Sequence, residues 1–165
     1  MLNCHIIAAN VKKAYELNKV FDLNNQNILY HVERVASKFD WGAKEWIVAY
    51  LHDVIEDNVM TFGEVSKLLF DSSNSINEDL EDICDILINV NAITKRKETY
   101  DEYIKRIEKY KIAKNVKLAD LYDNCFRPLN KNITNNDVKR INKYLESIMY
   151  LQGSIIKDKI HELDK

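Results

Sequence analysis

Apolar residues recur at three- and four-residue spacing along almost the whole chain, the period of a helix with one face turned to a core. Ile7, Val11, Ala14 and Tyr15 predict a first helix reaching about Phe21, ended by the polar cluster Asn24-Asn25-Gln26-Asn27. Ile28, His31, Val32, Val35 and Ala36 share a face of a second, from about Asn27 to Phe39. Beyond Gly42, the apolar run Trp46-Ile47-Val48-Ala49-Tyr50-Leu51 predicts a buried central helix from Ala43 to about Asp57.

Thr61 with Glu64 three residues on has the spacing of a capping box, so a short helix follows through Leu68, Leu69 and Phe70. Asp71 to Ser75 reads as a loop. Helices are predicted at about 76–91, 99–110 and 112–126, the last limited by Pro128, which lacks an N–H and disfavours helix in the residue before it. Thr134 with Asp137 opens a long amphipathic helix whose pattern reaches nearly to Lys165, with Gly153 as its weak point. No repeat, linker or shift of composition divides the chain, so residues 1–165 read as one domain.

Composition strengthens this picture. Three glycines and one proline leave few of the turns that a multi-stranded sheet needs, while 46% apolar residues suffice for a core. The expectation is a compact all-α bundle with a long C-terminal helix. A formal charge of −2 and a pI near 6.1 provide no global basic field for a nucleic-acid backbone or an anionic membrane. Charged residues interrupt every apolar stretch before the roughly 18 residues needed to span a bilayer, and no leader pattern opens the chain. Cys4, Cys84 and Cys125 are odd in number and lack zinc spacing, so they read as reduced, buried thiols of a cytoplasmic protein.

Three segments carry chemistry: His31 in Tyr30-His31-Val32-Glu33-Arg34, the block His52-Asp53-Val54-Ile55-Glu56-Asp57, and Asp120-Leu121-Tyr122-Asp123-Asn124. All fall on predicted helices. An imidazole and a carboxylate among Ala49, Tyr50, Leu51, Val54 and Ile55 cost several kcal/mol to bury unless paired, and a divalent cation is one such partner. His52 and Glu56, like Asp53 and Asp57, are four apart, and these three carboxylates near a helix C-terminus oppose its dipole. Asp120 and Asn124 repeat the four-residue relation in an apolar setting.

In order and spacing, His31, the His52-Asp53 doublet and Asp120 resemble the H…HD…D pattern of the HD superfamily of metal-dependent phosphohydrolases. The phrases AYLHDVIEDN and VKLADLYDN are most similar to the hydrolase domain of the RelA/SpoT and small alarmone hydrolase group, over about residues 27–127. The resemblance implies an HD-type helical fold, a metal held by His31, His52, Asp53 and Asp120, catalytic roles for Glu56 and Asp57, and an active-site role for Asn124. The two imidazoles and two carboxylates suit Mn²⁺, with Fe, Co, Ni or Zn as competitors. Water acidified by the metal would attack phosphorus, with Glu56 and Asp57 dividing the tasks of base and of orienting water or protonating the leaving oxygen.

A phosphorylated substrate also wants cations. Lys95 and Lys97 in Thr94-Lys95-Arg96-Lys97, a segment the family places near the pocket mouth, Lys117, Arg127 and Arg34 are candidates, each weighed against a solvated or ion-paired role. Asn124 could orient a metal ligand or bind ribose. His5 and His161 are expected at the surface or in packing. Trp41, Trp46, Tyr100, Tyr103 and Tyr110 are expected in the core, and Tyr122 has a nucleoside-pocket role as the alternative to packing.

In the alarmone hydrolases a proline follows the first histidine and an arginine precedes it by about nine residues; here Val32 and Asp22 stand there. The expected activity is therefore hydrolysis of a phosphate or pyrophosphate ester of a nucleotide, (p)ppGpp-like but with modest base selectivity. Its rivals are hydrolysis of another nucleotide or nucleoside phosphate, a non-catalytic metal- or nucleotide-binding module, and a purely helical interaction protein. The expected partner is a small phosphorylated nucleotide, with self-association as a homo-oligomer left open.

Overall fold

The apolar run after Gly42 becomes helix α3 (Lys44–Leu51), and Trp46 through Leu51 are all buried. Burying each of Ile47, Val48 and Leu51 contributes about 1.5–3 kcal/mol, which makes this helix the centre of the molecule. Gly42, at φ 88, supplies the left-handed turn that starts it. The structure is a computed structural model describing residues 1–21, 27–126 and 133–163, with side chains as far as 156. Around α3 stand α1 (Cys4–Asn18), α2 (Leu29–Ala36), α4 (Phe62–Asp71), α5 (Ile76–Ile93), α6 (Tyr100–Glu108), α7 (Lys111–Phe126) and α8 (Asn135–Leu163). The fold is an all-α bundle with a long C-terminal helix and no sheet among the described residues.

The pattern of burial follows the spacing. Ile7, Val11 and Tyr15 form the inner stripe of α1, and Ile83, Ile86 and Val90 that of α5. Thr61 and Glu64 make the expected capping box, and Thr99 with Glu102 makes a second at the start of α6. Helix α3 packs on α1, α2, α5 and α7, and α7 in turn on α2, α5, α6 and α8. The trio α2, α3 and α7 therefore meets at the middle of the bundle.

Several expectations are corrected. Helix α3 ends at Leu51 instead of near Asp57, because the His52 side chain takes the Ala49 carbonyl at 2.6 Å and the chain folds back. Asn58 is left-handed at φ 55, and the Val59 and Met60 amides both donate to the Val54 carbonyl. His52 to Asp57 thus form a turn beyond the helix. Gly153 is no break, since α8 runs straight through it. Cys84 is exposed and Cys125 only half-buried, since neither lies on its helix's inner stripe. Trp41 is 56% exposed and meets the rings of His5 and Trp46 at a tilt. Asp22, Arg127 and Pro128, and the side chain of His161, lie outside the described residues. No helix among the described residues is long and apolar enough to cross a membrane.

Candidate metal centre

Each of the three central elements delivers a polar group into the core. His31 projects from α2, His52 follows the last turn of α3, and Asp120 lies on α7, each less than 5% exposed. Nitrogen and carboxylate atoms of these three residues lie within 4.8 Å of one another. His31 Nε2 stands 3.1 Å from Asp120 Oδ1 and 3.6 Å from Asp53 Oδ2; His52 Nε2 stands 3.1 Å from Asp53 Oδ2 and 3.9 Å from Asp120 Oδ1. His31, His52 and Asp120 therefore form the close group, and Asp53 adjoins it through its contacts with both imidazoles.

One buried nitrogen among these residues makes no hydrogen bond. His52 Nδ1–H donates to the Ala49 carbonyl, which directs the lone pair to Nε2, the tautomer being assigned from this bond. His52 Nε2 is buried and has no hydrogen-bond partner among the described residues. In the neutral ring that lone pair faces carboxylate oxygens at 3.1 and 3.9 Å, which is repulsive unless a proton or a cation lies between them. The basicities express the same demand: burial lowers the affinity of His52 for a proton, but the charges of Asp53 and Asp120 outweigh it and the net shift is upward. For His31 burial again opposes, and Asp120 and Asp123 push the imidazole up to about 10. Burial opposes ionisation of Asp53 and Asp120 as well, yet His52 holds the first below the usual carboxylate range and Lys117, with the histidines, the second. His31, His52 and Asp120 could hold a metal ion with Asp53 beside them, and imidazole nitrogens with carboxylate oxygens are a donor set compatible with Mn²⁺ or a neighbouring transition metal.

The other expected residues take distinct places around this point. Asn124 Nδ2 donates to Asp120 Oδ1 and Lys117 Nζ to Asp120 Oδ2 at 2.7 Å, so both hold a candidate ligand. Glu56 is exposed, and its Oε1 accepts from the Lys95 backbone amide at 2.7 Å, which ties the 94–99 loop to the site. Asp57 Oδ2 accepts from the Tyr15 hydroxyl at 3.2 Å. Partial loss of solvent around the two carboxyls raises both, helped by the charge of Asp53 even though Glu56 keeps an exposed side, and Asp57 reaches about 6. The side chains of Lys95 and Lys97 are exposed on that loop. Arg34 forks onto Asp123, from Nε to Oδ1 at 2.7 Å and from Nη2 to Oδ2 at 2.9 Å, which gives it the ion-paired place. Tyr122, two residues from Asp120 on α7, accepts from Gln152 of α8 at 2.7 Å and stacks on Phe126.

Two residues at the site had no role in the sequence reading. Asp123 contacts His31, and Tyr15 on α1 contacts Asp57. The positions of Arg34 and Asp123, each three residues after a candidate ligand on its own helix, were the available signal for the first; nothing local points to Tyr15. No protein-family model matches this chain, and no curated protein matches it.

Proposed function

We propose that the protein is an HD-type phosphohydrolase that uses one Mn²⁺-like cation to cleave a phosphate or pyrophosphate ester of a small nucleotide, with (p)ppGpp-like alarmones as the leading substrate class. The observation that carries the reading is the unpartnered, buried His52 Nε2, aimed with His31 Nε2 at Asp53 and Asp120. A cation bound there supplies Lewis acidity and favours ionisation of water near neutral pH. Asp57, poised near pH 6 and steadied by Tyr15, takes the proton from the attacking water as its oxygen bonds to phosphorus. The P–O bond to the leaving group breaks, and Glu56, its carboxyl raised from the usual range and held by the Lys95 amide, delivers a proton to the departing oxygen. Lys117, beside Asp120, is a cation for substrate phosphate, with Lys95 and Lys97 on the loop. The three free cysteines favour a reducing, cytoplasmic setting.

The test is a screen of nucleotide phosphates with Mn²⁺ and with chelator. Mn²⁺-dependent release of phosphate or pyrophosphate is expected, and matched ppGpp and ppApp should differ by less than about 10² in kcat/KM, the range of loose apolar enclosure. Release from neither leaves another nucleotide class. Release from no nucleotide phosphate at saturating Mn²⁺ contradicts the hydrolase and leaves a metal-binding module.

A further inference from the structure

We propose that Asp123 and Arg34 form a positioning relay that fixes His31 as an Nε2 ligand and sets the affinity of the cation site. This rests on the metal reading above and gives Arg34 and Asp123 a task other than substrate contact.

Asp123 lies one turn beyond Asp120 on α7, and its Oδ2 is 2.7 Å from His31 Nδ1. Arg34, one turn beyond His31 on α2, closes the other side with its two-pronged contact to both carboxylate oxygens. Such a fork fixes the plane of the carboxylate as well as its position. An imidazole has two nitrogens and can turn either toward a cation; committing Nδ1–H to Asp123 leaves Nε2 as the donor and sets the ring's direction. That direction is the one observed, with Nε2 toward Asp120 and Asp53.

The side chains of His31 and Asp123 are 4% and 9% exposed, so little water competes for either contact. A carboxylate behind a ligating imidazole increases the electron density at the far nitrogen and strengthens its bond to a cation. An ion pair serving only to join α2 to α7 needs Arg34 and Asp123 alone. The third contact, to a buried ring nitrogen whose opposite atom faces the site, has no purpose in such a pair.

The experiment is calorimetric titration of the metal-free protein with Mn²⁺, alongside thermal unfolding and ¹⁵N-edited NMR of the histidine rings. Asp123→Asn keeps the shape but loses the charge and half of the fork, and should weaken Mn²⁺ binding by about 10–100-fold and displace the His31 Nδ1–H resonance. Arg34→Lys keeps the charge without the fork and leaves the carboxylate in place; it should weaken binding by a smaller factor, about threefold to tenfold. It also preserves the test if the asparagine variant does not fold. Mn²⁺ affinity within about twofold of wild type in the folded variants overturns the relay, even if their stability falls. A wild-type protein that binds no Mn²⁺ removes the metal reading itself, so the two failures are distinguishable.

Discussion

Tyr15 belongs to the first helix, outside the segment that resembles the hydrolases, yet its buried hydroxyl donates to Asp57. Burial and the charge of Asp53 oppose ionisation of Asp57, while the hydroxyl favours it. A general base acts in its ionised form, so kcat/KM should rise with pH through the Asp57 pKa near 6. Tyr15→Phe removes a stabiliser of the ionised carboxylate, which raises that pKa and moves the rising limb to higher pH, by up to about one unit. Asp57→Asn should retain metal and slow turnover by about 10² or more. A pH profile of both variants checks this: an unmoved limb with wild-type turnover in Asp57→Asn returns the pair to packing. The candidate ligands were legible in the sequence because their residue types are rare inside an apolar helix pattern. Tyr15 and Asp123 were not, because an aromatic or acid on an amphipathic helix has many ordinary uses and their partners lie 42 and 92 residues away.

Among the elements, the helices with a clear apolar stripe or a capping box were legible, including α4 behind Thr61-Glu64 and α8 behind Thr134-Asp137. The end of α3 was not. Apolar periodicity continues through Val54 and Ile55, and both serve the core or its margin, but the His52 side chain has claimed the Ala49 carbonyl and the backbone turns back at Asn58. Periodicity reports which residues face inward and is silent on a cap made by the His52 ring. This early stop puts Glu56 and Asp57 on a turn, where they reach Lys95 and Tyr15 instead of lining a helix end. In α8 the sequence overstated a weakness. Gly153 has helical neighbours on both sides, and a Cβ there meets nothing within 4 Å. Gly153→Ala should therefore stabilise the protein by about 0.5–1 kcal/mol by reducing the freedom of the unfolded chain. Chemical denaturation with an unchanged m-value tests it; a loss of stability means that this stretch of α8 needs the glycine.

At the scale of the molecule, the bundle encloses more negative than positive groups at one point, and the metal-free chain answers with protons. His31 is raised to about 10 in the fold, against burial, by Asp120 and Asp123, whereas an unfolded histidine titrates near 6.5. A raised folded value means that this contribution to stability is full below about pH 6.5 and is lost as the pH climbs toward 10. A cation at His31 Nε2 must displace that proton, so Mn²⁺ affinity should increase with pH over the same window, with protons released on binding. The fold class was legible from composition and period alone, while this balance depends on α2, α3 and α7 meeting, which no local pattern states. The central claim is that His31, His52, Asp53 and Asp120 together hold a divalent cation. Its most direct measurement is calorimetric titration of metal-free wild type and Asp120→Asn with Mn²⁺ at two pH values, with helical content checked by circular dichroism. A single Mn²⁺ per wild-type chain is expected, bound more tightly at the higher pH, with a sharp loss of binding in Asp120→Asn at near-native helicity. A wild type that takes up no Mn²⁺, or an Asp120→Asn protein that binds it as tightly as wild type, contradicts it.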